Sequence, residues 1–192
     1  MRNAQFLTAD ELVRLGFAEL GENVLVHESV VLIGTGRMRL GSNIRIDPYC
    51  VISADEELLI GSHVHIAAHV LLSGGAGITL HDFAGISHGA KLLSCSDDFS
   101  AGALTGPTIP ADLRSVRAER IVIGRHAVIG ANSVVLPGTR VEDGATVGAL
   151  SLARGTLEGW KVHAGVPARV VGVRDKVGVV RAEASLHQRQ AE

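Results

Sequence analysis

The chain has 192 residues, is 46% hydrophobic yet only 3% aromatic, carries 23 glycines and has a formal net charge of −2. That length suits one domain with a sizeable core, or one domain with an appendage. The charge gives no basic footprint for nucleic acid, no apolar run reaches the roughly 18 residues of a membrane helix, and Cys50 and Cys95 alone make no disulfide framework.

The opening MRNAQFLTADEL has no apolar stretch of the signal-peptide kind, so a cytoplasmic protein is expected. Thr8 and Glu11 have the spacing of a capping box ahead of Leu12, Leu15 and Phe17. They predict a short helix over about residues 9–19. It would plug the open end of the repeat that begins beyond it, because an uncovered sheet end is an edge.

In that repeat, aliphatic residues fall at Leu40, Ile46 and Ile52, then Ile60, Ile66 and Leu72, then Leu80, Ile86 and Leu92. The spacing predicts strands that wind as a parallel β-helix, three to a coil, with extra residues at one corner of each coil. Beyond residue 120 the pattern tightens to a strict hexad: Ile123, Ile129, Val135, Val141, Val147 and Ala153. A second series stands two residues earlier, at Ile121, Ala127, Ser133, Thr139, Ala145 and Ser151, and period two turns both series inward. A narrow solenoid interior filled by Ile, Val, Leu and Ala explains the shortage of aromatic residues. The segment 95–120 interrupts the repeat at the corner that is already loose. Its prolines, glycines and charges predict a loop acting as a lid or a clasp on a neighbouring chain. Arg169-Val-Val-Gly-Val reads as a last strand leaving the solenoid, and residues 174–192 as a polar, partly helical or frayed tail. The expected boundaries are 1–23 for the helical cap, 24–165 for the β-helix with its excursion at 95–120, and 166–192 for the strand and tail.

The coil period sorts residues into columns. Arg45, His65 and Gly85 form one outward column of the second face, and Asp47, Ala67 and Ser87 the next. Asp47 and His65 lie diagonally across adjacent coils, within roughly 7–8 Å at Cβ, a gap an Asp–His pair can span. The following corner collects Pro48-Tyr49, Ala68-His69, His88-Gly89, Ala131-Asn132 and Ala149-Leu150.

The segment IGRHAVIGANSVVLPGTRVEDGATVGALSLARGTLEGWKVHAGVPARVVG resembles the C-terminal half of the hexapeptide-repeat acetyltransferases. The upstream IGSHVHIAAHVLLSGG and FAGISHGAKLLSCSDDFSAGALTGP look like the branch that modifies sugars of surface polysaccharides. The resemblance, which covers about residues 24–173, implies a left-handed β-helix, a homotrimer and acetyl-CoA as cosubstrate. It implies no metal. In the related maltose and galactoside acetyltransferases a catalytic histidine ends the coil before the long loop, and in this sequence that position falls near Asp97.

The base must therefore come from His65, His88 or His69. A neutral imidazole that takes the proton of a sugar hydroxyl or amine is worth about 10²–10⁴ in rate, and Asp47 would fix the tautomer of His65. His88, on the corner itself, is the rival. Ser87, Asp97 and Asp98 are candidate substrate contacts, although the two aspartates equally suit capping the loop. Acetyl-CoA is expected along the edge of Ala131, Asn132 and Ala149, with Arg154, Arg169 or Lys161 at its phosphates. His63, His81 and His126 read as solvated corners, and Trp160 as packing for the last strand. Three classes compete: a sugar O- or N-acetyltransferase, with an antibiotic-modifying relative as a variant; a metalloenzyme like the β-helical carbonic anhydrases, for which His65 and His69 lack an obvious third partner; and a purely structural β-helix.

Overall fold

The computed structural model describes residues 5–191. Residues 1–4 of the expected cap and residue 192 of the tail lie outside the described residues. The chain is a left-handed parallel β-helix of about seven turns. Its strands visit three faces in strict rotation. The first face has seven strands, from Glu19–Leu20 to Thr156–Leu157; the third has six, from Val31–Ile33 to Leu152–Ala153. The second face has seven parallel strands, from Val24–Val26 to Lys161–Gly165, and an eighth, Ala168–Val173, that returns antiparallel.

The inward ladder forms as its period dictates. Ile46 is in register with Ile66, and Leu72 with Leu92; past the loop, Ile129 pairs with Val147 and Val135 with Ala153. All of these side chains are buried to within 2%. Full burial of each Ile or Leu contributes about 1.5–3 kcal/mol, so the stacked column supplies most of the driving force. The buried hydroxyls of the second series are paired, as buried polar groups must be: Ser133 donates to the Gly148 carbonyl at 2.8 Å and Thr139 to that of Leu136 at 2.7 Å.

Three expectations need adjusting. The N-terminal helix α1 spans only Ala9–Arg14. The capping box is formed, and Leu12 is buried with Leu7, Leu15 and Phe17 packed on the core, so the helix does plug the first coil. It stops early because Gly16 takes a left-handed φ of 67°, after which Ala18 hydrogen-bonds to the first face. The 95–120 excursion is not bare loop: Cys95–Asp97 and Val116–Ala118 form an antiparallel ribbon that projects from the corner between the third and first faces. The last strand does not leave the solenoid but folds back on its final coil. The tail, expected to be partly helical or frayed, is the helix α2, Lys176–Ala191.

Candidate active site

The period that builds the core also fixes what stands outside it. Arg45, His65 and Gly85 are neighbours in register on the second face. His65 Nε2 lies 2.7 Å from Asp47 Oδ2, while Arg45 Nε donates to Asp47 Oδ1 at 2.7 Å. Burial pushes the Asp47 carboxyl up, but the hydrogen bonds from His65 and Arg45 outweigh it and hold the group below its ordinary range. An ionised carboxylate only accepts, so Nε2 of His65 donates in this contact, and in the neutral imidazole Nδ1 is then the lone-pair nitrogen. The imidazole is about half exposed and Asp47 mostly covered, at 53% and 13% of their side-chain surface. On the far side of His65 stands Gly85, where an added Cβ would meet nothing closer than Val128 at 3.9 Å. The result is an imidazole held from behind by Asp47 and open in front.

The corner that follows is assembled as the columns require. Backbone N–H groups of His69, Gly89, Asn132 and Leu150 donate to the carbonyls of Pro48, Ala68, His88 and Ala131. Ala131 and Asn132 therefore continue the His88-Gly89 corner, with Ala149 one coil further on. Ser87 is half-buried beside it, and His88 is exposed. The Asp47–Ala67–Ser87 column is less outward than its spacing suggests, since Ala67 is 2% exposed. Arg169 is in register with Ala164 on the last coil, and its guanidinium donates to the Ala168 carbonyl at 3.0 Å. Arg154 lines a groove of about 800 Å³ at the opposite corner, with Asp97, Phe99, Arg117 and Leu136. His65 and His69 do not converge either, because His69 stacks on Tyr49 at 5.1 Å.

The loop aspartates are engaged within the excursion. Asp97 accepts from the Gly106 N–H at 2.9 Å and from Arg114 at 2.9 Å, and these two donors lower its pKa. Asp98 accepts from the N–H and hydroxyl of Ser100. Capping the loop is thus what both carboxylates do in this arrangement.

The comparisons with known proteins bear on this geometry. The family described as bacterial transferase hexapeptide (six repeats) matches residues 120–152. AntD, an N-acyltransferase from Bacillus cereus solved with dTDP and 3-hydroxybutyryl-CoA, superposes with a TM-score of 0.95 at 35% identity, covering 99% of this chain and 100% of that one. This chain belongs to the hexapeptide-repeat transferase family. A dTDP-4-amino-4,6-dideoxy-D-glucose acyltransferase of Escherichia coli is 32% identical over 99 residues, 52% of each chain. A second Escherichia coli protein, named for O-acetyl transfer in lipopolysaccharide biosynthesis, is 41% identical over 68 residues, 35% of each chain. This chain thus spans about half and about a third of those two curated relatives.

One part of this hexapeptide-repeat transferase departs from the expectation of its sequence. His126 is not a solvated corner: it is 8% exposed, stacked on Phe83 at 4.9 Å, and its Nε2 bonds Glu183 at 2.9 Å. His63 stacks on the other side of Phe83 at 4.7 Å. Trp160 packs over Gly144 and under Lys176, and its carbonyl accepts the N–H of Arg174 just past the last strand. The available signal is the recurrence of rings at one corner position, His63, Phe83, His126 and Trp160.

Proposed function

We propose that this chain is a CoA-dependent acyltransferase that moves an acyl group from the thioester to a nucleotide-linked sugar, feeding surface-polysaccharide assembly. The observation that carries the reading is the His65–Asp47 contact on an open face of a scaffold whose full length matches AntD. A serine-to-alanine variant of AntD has been solved with dTDP-4-amino-4,6-dideoxyglucose and coenzyme A, which favours the amine of a dTDP-linked 4-amino sugar as acceptor over a hydroxyl. That enzyme has also been solved with substitutions at a serine and at an aspartate whose separation equals that of Ser87 and Asp97 in this chain. The match keeps both residues as candidate acceptor contacts.

The chemistry follows from the geometry. The sugar amine attacks the thioester carbonyl and forms the C–N bond. Nδ1 of His65 takes the proton that the nitrogen sheds, while Asp47 holds the imidazole and the charge it acquires. The C–S bond breaks, the amide leaves, and the CoA thiolate recovers a proton. The CoA arm is placed along Ala131, Asn132 and Ala149, with Arg169 at its phosphates; Arg154 is the cation at the loop groove instead. A homotrimer supplies the wall that a single prism leaves missing opposite His65, and the 95–120 ribbon is long enough to reach a neighbour. A cytoplasmic location is part of this reading, supported by the solubility of CoA and of nucleotide-linked sugars.

The test is release of free CoA from acetyl-CoA and 3-hydroxybutyryl-CoA, with dTDP-4-amino sugars, simple sugars and hydroxyl-bearing antibiotics as acceptors. The amino sugar should be the fastest acceptor. His65→Ala should lower turnover by about 10²–10⁴ with acyl-CoA affinity nearly intact. Normal turnover in His65→Ala combined with loss in His88→Ala would move the base to the corner.

A further inference from the structure

We propose that Arg45 is a positioning residue for the acyl transfer, setting the protonation state of His65 through Asp47 and fixed in turn by Phe6. The inference rests on the reading of His65 as base. Each oxygen of the Asp47 carboxylate has one partner: Oδ1 takes Arg45 Nε at 2.7 Å and Oδ2 takes His65 Nε2 at 2.7 Å. The carboxylate plane is therefore pinned at both ends, which aims the imidazole. The charges matter as much as the aim. A carboxylate alone favours the protonated imidazole, which has no lone pair to accept a proton. A guanidinium already paired with that carboxylate cancels most of its pull, which favours the lone pair that the transfer needs.

The other groups around His65 leave this balance to Arg45 and Asp47. The following strand puts Gly85 in register and Ser87 beside it, neither charged. At the two ends of its own strand His63 is stacked on Phe83 and His69 on Tyr49.

Arg45 is half exposed, so something must hold it, and the N-terminal segment does. The Arg45 guanidinium sits over the Phe6 ring, 5.1 Å from its centroid. Phe6 is bridged antiparallel to His27, and its neighbours tie down on both sides, Leu7 N–H to the Val26 carbonyl at 2.9 Å and Glu28 N–H to that of Gln5 at 3.0 Å. The segment ahead of α1 thus reaches across the first coil to the candidate site.

The experiment compares the pH dependence of kcat/KM in wild type, Arg45→Gln, Arg45→Lys, His65→Ala and the double variant Arg45→Gln/His65→Ala. In Arg45→Gln the acid limb should move up by about one pH unit, a loss of about tenfold below the limb that is regained at high pH. Arg45→Lys should restore most of it, and Arg45→Gln should cost nothing further once His65 is alanine. A pH-independent loss, or a full additional loss in the double variant, overturns the inference and leaves Arg45 a structural residue. An Arg45→Gln profile equal to wild type, with His65→Ala inactive, overturns it as well. Normal turnover in His65→Ala instead removes the base reading beneath it.

Discussion

The two corners that flank the second face are built from the same kinds of residue and do opposite things. Between the first and second faces, His63, Phe83, His126 and Trp160 take left-handed φ values near 60°. Between the second and third faces, Tyr49, His69, Asn132 and Leu150 do the same. At the first corner the rings run on as a stack, and α2 closes over it. Glu183 pairs with Arg125 and His126, His187 meets the Phe83 ring edge-on, and Arg174 donates to the carbonyls of His126 and Gly144. At the second corner the stack stops after Tyr49 and His69, because Gly89 follows, and Tyr49 and Leu150 stay 62% and 70% exposed. A histidine at such a corner is therefore a structural group or an available one according to what docks on it.

Two glycines test that contrast most severely. Gly144 and Gly89 have φ of 70° and 68°, so alanine at either costs about 1–2 kcal/mol of backbone strain. At the covered corner the new Cβ would also lie 2.6 Å from Cε2 of the Trp160 ring, which is held by its neighbours. At the open corner it would meet only the side-chain amide of Asn132, which can swing into solvent. Gly144→Ala should lose about 2–5 kcal/mol by denaturant titration, adding overpacking to strain, and Gly89→Ala only about 1–2. Equal losses would mean that the covered corner is no more tightly built than the open one.

The difference between the corners also explains what the amino-acid sequence reveals. The solenoid is legible because inward periodicity is a local property: every residue of the ladder from Leu40 to Ala153 is predicted and found inside. The Asp47–His65 contact is legible for the same reason, since a fixed coil period puts both side chains on one face. The Glu183 contacts are not, because Glu183 is 57 residues from His126 and α2 carries no apolar stripe that would announce a docking face. It is held by ion pairs and rings that only the folded chain brings together. Proximity in sequence to Ala149 suggests the cofactor edge for Arg154, but the corner at Ala149-Leu150 and the strand Leu152–Ala153 carry the chain to the next edge before it. The overlong α1 has a local cause: Leu15 and Phe17 extend the apolar pattern past Gly16, where the backbone turns.

The ion pairs of the covered corner should leave a signature in pH. The Arg125 hydrogen bond, opposed by burial and joined by His126 and His187, lowers the Glu183 pKa from 4.5 to about 2. A carboxylate whose pKa falls on folding contributes stability that is complete above the unfolded value and lost as pH drops through the folded one. Glu183→Gln should therefore be less stable than wild type at neutral pH by about 1 kcal/mol, or roughly 2–4 °C in Tm. The gap should begin to close near pH 4.5 and be gone only below about pH 2. A gap independent of pH would show that the glutamine disturbs packing of α2 rather than removing a charge. Turnover at neutral pH should not change, because Glu183 bonds Arg125, His126 and His187 and not Asp47 or His65.

The smallest effect is expected from His69→Ala at the open corner. His69 has the same left-handed backbone as His126, with φ values of 62° and 60°, and each stacks on one aromatic neighbour, Tyr49 for the first and Phe83 for the second. Among the described residues, His69 lacks a covering helix and an acidic partner. An exposed stack of this kind is worth at most about 0.5–1 kcal/mol, and the left-handed backbone strains alanine about as much as it strains histidine. Tm should shift by no more than about 2 °C, and turnover should stay within about twofold, since His69 faces Tyr49 and not the Asp47–His65 pair. His126→Ala should cost more in Tm and equally little in turnover. A tenfold or greater loss of turnover in His69→Ala, with the fold intact, would place a reacting group on this corner and exchange the roles of His65 and His69.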